Sequence, residues 1–244
     1  MKTPLRVTVL GEGKDERGKN RTQPPFTPVP HEQQGAMEIL VRRALYPLMN
    51  GGQPWDRRFI KQSDGIRILQ PPALPFSRQP AMVEILADSN KLGVLVSAAL
   101  KPARGGPAPV DLLVATHDAD TGASAVIRAV LVVNTSLGTH VPLLQPAPEI
   151  QSWLTRKRAI ELAYGREHCS VPEPDEDALR RDAKAELQRL LHSFGGSINA
   201  KMQASLAECI SAEDLDRYDW TGWKQASEDL KVALSALALK SMEP

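Results

Sequence analysis

Two short acidic segments about a hundred residues apart hold the side chains best placed to do chemistry. Val9-Leu10-Gly11-Glu12-Gly13-Lys14-Asp15-Glu16 closes an apolar, β-branched run, and His117-Asp118-Ala119-Asp120-Thr121-Gly122 closes a second one. Each carboxylate falls just past the carboxyl end of a strand, the edge at which open α/β sheets bind ligands. Mg²⁺ takes hard oxygen ligands and keeps several of its waters, so a few carboxylates suffice to hold it, or Mn²⁺ in its place. Asp118 and Asp120 stand two residues apart and can share one cation where the loop turns. Glu12, from a neighbouring strand, would hold a second cation or act as general acid/base, with Asp15 and Glu16 as auxiliary ligands. Two such cations about 4 Å apart stabilise both the attacking and the leaving oxygen of a phosphodiester displacement. Lys14 and Arg17, in the same loop, suit a substrate phosphate.

Blander readings compete with this one. A single acidic residue at a strand end is commonly solvated or caps the next helix. It is the combination of Glu12, Asp118 and Asp120, with glycines beside them, that points to a divalent-metal site. Gly11-Glu12-Gly13-Lys14 lacks the full Gly-x-x-x-x-Gly-Lys-Ser/Thr of a phosphate-binding loop, so a nucleotide P-loop is not expected. His117 adjoins the aspartates and is either a proton shuttle or, more commonly for such a residue, simply a positioned histidine. Lys184 reads as part of a solvated helix face, and Trp55, Trp153, Trp220 and Trp223 read as packing residues rather than a base-stacking platform.

Composition limits the classes of protein. At 244 residues, 42% hydrophobic and 24% charged, the chain can bury a substantial core. Its net charge of +1 gives no overall field toward a polyanion, so nucleic-acid binding requires a local basic patch or a basic partner. The two cysteines, Cys169 and Cys209, support neither a disulfide framework nor a Cys-x-x-Cys metal site. No apolar run approaches the roughly 18 residues of a membrane span, and the N-terminus does not read as a secretion signal. A cytoplasmic location is expected.

The elements that must position the carboxylates follow from periodicity. Residues 5–10 read as a buried strand, and 11–30, basic and then proline-rich, as a mobile, exposed loop. Helical spacing runs over 31–49 and stops at Asn50-Gly51-Gly52; 65–69 is a short strand, 81–101 a helix, and 110–116 the strand that ends in the Asp-x-Asp. Residues 123–137 have β-branched content that favours a strand, but their length and the stop at Gly138 predict a helix. A strand over 140–145 and a helix from near Glu149, with Trp153 and Leu154 inward, complete an alternating order that argues for a mostly parallel sheet with helices on both faces. After a linker at 171–174, amphipathic segments at 177–191, 198–210 and 223–239, with a capped turn at Ser211-Ala212-Glu213-Asp214, form a helical extension. The expected organisation is an α/β domain over 1–165 and a helical region over 166–244 packed on it.

The Gly-Glu-Gly and Asp-x-Asp elements resemble the TOPRIM domain of topoisomerases, primases and OLD-type nucleases. Pro148-Glu149-Ile150-Gln151-Ser152-Trp153-Leu154, then Asp182-Ala183-Lys184-Ala185-Glu186-Leu187 and a closing segment over 214–230, resemble a family of small TOPRIM proteins of prokaryotic defence operons, related to the TOPRIM half of OLD nucleases. The resemblance covers nearly the whole chain. It implies a TOPRIM-like α/β fold and a Mg²⁺-dependent nuclease of anti-phage or anti-plasmid defence, with Glu12, Asp118 and Asp120 catalytic and metal-binding, Glu16 a further ligand, and Lys14 and Arg17 on the substrate. It also implies an ABC- or SMC-type ATPase partner, nucleic acid as target, and a possible homo-oligomer; the amphipathic helices from Asp177 onward, being more than a small sheet needs for cover, are the expected docking surface. The family usually has an acidic residue where Gln151 stands. The alternatives are a non-catalytic binding or regulatory subunit of such an ATPase complex, and a phosphotransfer or nucleotide-hydrolysing enzyme.

Overall fold

A computed structural model describes residues 4–11, 24–53, 55, 65–73, 80–101, 108–119, 122–164 and 171–240. Four strands, β1 (Leu5–Leu10), β2 (Ile66–Ile68), β3 (Leu112–Thr116) and β4 (Leu143–Leu144), form one sheet in the order β2-β1-β3-β4, and every pairing is parallel. Parallel strands need covered crossovers, and the side-chain alternation along them sorts two cores. Val7, Val9, Leu112 and Val114 face one cluster, while Leu10, Leu113 and Ala115 face the other.

The second cluster is closed by α2 (Met82–Leu86), α3 (Ser89–Leu100) and α4 (Ala123–Leu137). The first is closed by α1 (Ala36–Met49) and by the helices of the second half of the chain. These are α5 (Gln151–Leu154), α6 (Lys157–Ala163), α8 (Ala183–His192), α9 (Ala200–Cys209), α10 (Ala212–Asp216) and α11 (Trp223–Lys240), while α7 (Glu176–Arg181) packs on α8 outside this cluster. Leu187, Leu190 and Leu191 of α8, Leu206 of α9 and Leu230 of α11 join the same apolar cluster as Val7 and Val114. The C-terminal helices therefore spend their apolar faces on the sheet and α1. The large hydrophobics left most exposed include Ile127, Leu131 and Val132 of α4.

Several boundaries differ from the periodicity reading, each for a local reason. The helix expected over 81–101 breaks at Asp88, whose carboxylate accepts from the backbone N–H groups of Asn90 and Lys91 and starts α3. The helix expected over 177–191 breaks at Asp182, which caps α8 through Ala185 N. Asn199 likewise caps α9 through Met202 N. Residues 123–137 are helical, with Gly138 in the left-handed conformation closing α4. The expected strand over 140–145 shortens to Leu143–Leu144, which pair with Ala115 and Thr116 at the carboxyl end of β3. Ser211 and Asp214 form the reciprocal cap read from their spacing. Helix α6 has no counterpart in the periodicity reading. The 171–174 stretch is not a free linker, since Val171 and Pro174 are buried. The far end of the 11–30 loop is not free either. Val29 is buried, and the backbone pairs Val29 N with Ile68 O at 2.8 Å and Gln70 N with Thr27 O at 2.9 Å, covering the outer edge of β2. No described helix is long and apolar enough to cross a membrane.

Candidate functional site

The two acidic segments end on adjacent strands. β1 and β3 pair directly, with Val9 opposite Val114 and Leu10 opposite Ala115, so Gly11 and the segment from His117 onward leave the sheet at the same carboxyl edge. At the opposite edge this register is pinned by Arg6 and Asp111. Arg6 Nε donates to Asp111 Oδ2 at 3.0 Å, and the Asp111 and Arg6 backbones bond at 2.9 Å. At the carboxyl edge itself, Thr116 Oγ1 donates to Leu10 O at 3.2 Å, tying the ends of β1 and β3 side by side.

Asp118 follows directly. It is half-buried, and its Oδ1 accepts the backbone N–H of Ile150 at 3.1 Å. The β4–α5 loop that delivers Ile150 is held against the same edge, where His117 N donates to Leu144 O at 3.1 Å and Ala119 N to Pro146 O at 2.9 Å. His117 is buried, with Gly122 packed near its imidazole. A histidine enclosed in this way is positioned by the fold rather than offered to solvent.

The loop is anchored from behind by the residues of the Glu-Ile-x-x-Trp-Leu element. Trp153 is fully buried, donates from Nε1 to Thr221 O at 2.6 Å, and meets Trp223 edge-on with ring centroids 5.1 Å apart. Ala147 N also donates to Thr221 O, at 3.1 Å. Gly222, at φ +81°, brings its backbone so close to Gln145 that a Cβ there would stand 2.4 Å from Gln145 O. A side chain at 222 would push the start of α11 away from the loop that carries Ile150 to Asp118. Glu149 Oε1 accepts from Lys184 N at 2.8 Å, so Glu149 joins α8 to this loop, and Lys184 acts there through its backbone. Gln151 opens α5 as a buried amide whose Oε1 has no hydrogen-bond partner among the described residues.

Of the sequence-predicted site, Asp118 is the residue the structure describes; Glu12, Lys14, Asp15, Glu16, Arg17 and Asp120 lie outside the described residues. Among the described residues, no group of three or more His, Cys, Asp or Glu side chains is arranged to hold a metal ion. A cation site there would need Glu12, Asp120 or Glu16 as well as Asp118, and carboxylates of that kind are the donors a hard divalent cation takes. Sequence reasoning missed Thr116 and the Ile150 N–H, which order the edge. A hydroxyl at a strand end was the available signal for the first, and the backbone contact had none. No family model, curated protein or solved structure matches the chain.

Proposed function

We propose that this chain is a TOPRIM-type nuclease that uses Mg²⁺ or Mn²⁺ to cleave nucleic-acid phosphodiesters, working with an ABC- or SMC-type ATPase in defence against phage or plasmids. The observation that supports it is the direct parallel pairing of β1 with β3, which sends the chain into Glu12 and into Asp118-Ala119-Asp120 from one edge of one sheet. Glu12, Asp118, Asp120 and Glu16 would hold the cation, whose charge would offset that building on the phosphate and the leaving oxygen. Thr116 and Ile150 position the backbone and the Asp118 carboxylate, and Lys14 and Arg17 would hold the substrate phosphate. The test is cleavage of plasmid DNA and of single-stranded DNA and RNA by purified protein, alone and with the ATPase, with Mg²⁺ and with EDTA. Divalent-dependent cleavage that disappears in the Asp118→Ala/Asp120→Ala variant is expected; full cleavage by that variant would remove the site.

A second reading, a non-catalytic subunit of the same ATPase complex, is favoured by Gln151. A neutral amide cannot supply the charge of the acidic residue usual in the resembling family. Nucleic-acid binding without cleavage under every condition, with co-elution of chain and ATPase in size-exclusion chromatography, would select it.

A further inference from the structure

The carboxyl end of α5 carries a second constellation that the metal reading does not use. Arg156 is 2% exposed. Its Nε donates to Asp214 O at 2.6 Å, and its Nη1 donates to Ser152 O at 2.7 Å and Thr155 O at 2.9 Å. These bonds occupy three of the five N–H donors of a guanidinium. The remaining two, on Nη2, are buried and have no acceptor among the described residues. Backbone carbonyls neutralise no charge, so among the described residues this buried cation is answered only through space, by the Asp214 carboxylate, which leaves it costly until an anion arrives. Burial holds its pKa below the ordinary arginine value, at about 10, still far above neutrality.

Arg156 lines a pocket of about 230 Å³ together with Lys157, Arg217, Tyr218, Glu173 and Asp214. The carboxylates of this wall are committed elsewhere. Glu173 is shared between Lys157 Nζ at 3.7 Å and Arg217 Nη1 at 3.6 Å. Glu161 faces Arg158 at 3.6 Å, and Asp214 accepts from Ser211 Oγ at 2.7 Å. Lys157 and Arg217 thus share one carboxylate and Arg158 meets another, while Arg156 has no carboxylate at ion-pair distance among the described residues, that of Asp214 acting on it only through space. The guanidinium of Arg156 lies 4.5 Å from the Tyr218 ring centroid, and Tyr218 stacks on the half-buried Trp220 with centroids 5.8 Å apart.

We propose that this pocket binds a phosphate group, whose oxygens would accept the free Nη2 donors of Arg156 while Lys157 and Arg217 add positive charge. A phosphate suits the site better than a carboxylate because its several oxygens and greater charge answer more than one cation. The Tyr218–Trp220 pair beside it is already covered, by Arg156 and Arg217 over the Tyr218 ring and by Arg180 at 4.7 Å over the Trp220 ring, so recognition rests on the phosphate rather than on a stacked base. The phosphate is either that of a free nucleotide or a backbone phosphate of nucleic acid. None of the residues that line this pocket belongs to the sheet-edge site, and binding here does not depend on cleavage there.

The test is titration of the full chain with pyrophosphate, AMP and a twelve-residue single-stranded oligonucleotide, followed by calorimetry and tryptophan fluorescence. The Lys157→Ala/Arg217→Ala variant changes partly exposed side chains and is checked for folding by circular dichroism, with Arg217→Ala alone as the milder form. Lys91→Ala, on α3 beneath the other face of the sheet, serves as the distant control. Saturable binding by the parent chain, at least tenfold weaker in the double variant and within twofold in the control, is the expected result. Competition by the oligonucleotide identifies the backbone source; binding of AMP and pyrophosphate without such competition identifies the free nucleotide. Absence of saturable binding for all three probes, or an unchanged Kd in the folded double or single variant, overturns the proposal. Cleavage lost in Asp118 variants with this binding intact, or the reverse, separates this site from the metal reading.

Discussion

On the proposed metal reading, Asp118 would carry two roles that one substitution separates. Its carboxylate would ligate the cation, and its Oδ1 accepts the Ile150 N–H at 3.1 Å, holding the β4–α5 loop on the sheet edge. Asp118→Asn keeps an oxygen acceptor at that position and removes the charge. A hydrogen bond to a charged acceptor contributes about 1.5–3 kcal/mol and one to a neutral acceptor about 0.5–1.5, and half-burial places Asp118 toward the low end. The stability difference should therefore be about 1 kcal/mol, or about 2–4 °C in Tm for a chain of this length. Asp118→Ala loses the bond outright and should cost about 1–2 kcal/mol. Cleavage should respond on another scale. Removing a ligand charge worth about 3–4 kcal/mol of transition-state stabilisation lowers the rate by roughly two to three orders of magnitude. Initial cleavage rates at saturating Mg²⁺, with thermal melts of the same preparations, read both quantities. An Asp118→Asn protein that melts like the parent and cleaves within about threefold of it would refute the ligand role.

Other outcomes follow from the same contacts. Trp153→Phe loses the 2.6 Å bond to Thr221 and part of the buried ring contact with Trp223, and should cost about 2 kcal/mol, lowering Tm by about 4–8 °C; hydrogen exchange should quicken at the start of α11, and unchanged exchange there would count against the anchoring role. For the Glu186 carboxyl, burial pushes the pKa up, but Arg189, bonded through Nε and Nη2 at 2.7 Å each, and the Asp175 N–H outweigh it and hold the group below its ordinary value. A carboxyl depressed on folding contributes stability that is full above its unfolded pKa and is lost as pH falls through the folded one. The stability gap between parent and Glu186→Gln in urea unfolding should accordingly narrow from pH 6 toward pH 3, and a gap constant with pH would contradict the pairing. Replacing Lys14, Arg17, Lys19 and Arg21 with Ser should weaken nucleic-acid binding and reduce the slope of log K against log salt by about 3, each phosphate contact being worth about 0.7–0.9; an unchanged slope would move the substrate surface elsewhere.

What could be read from the sequence divides by the range of the interaction that decides each feature. The mostly parallel sheet was legible because β1 and β3 are apolar runs buried on both faces and separated by helical spacing, which sterics allow few ways to assemble. Helix breaks at Asp88 and Asp182 were less legible. An Asp inside an apolar period is a tolerable helix residue until its side chain bonds the next turn, and periodicity does not register that choice. For the candidate metal site, the approach of the two acidic segments to one edge followed from strand order, whereas the bond from Ile150 N to Asp118 depended on a loop conformation that carries no compositional mark.

Arg156 shows most clearly where local reading ends. Arg156-Lys157-Arg158 is a basic triplet, and charge runs usually mark a solvated face. The fold instead turns Lys157 and Arg158 toward carboxylates at 173 and 161 and encloses Arg156 between the end of α5, the Asp214 carbonyl and the Tyr218 ring. Two of its three acceptors are carbonyls within four residues, while the third and the covering ring come from about sixty residues away. The distinction between a solvated arginine and a buried, half-satisfied one is therefore made by α10 and the segment after it. Those elements also bring Trp220 beside Tyr218, where Arg180 covers its ring at 4.7 Å and its Nε1 donates to Glu176 Oε1 at 2.8 Å, so the packing role that composition assigns this tryptophan is set by residues about forty positions away.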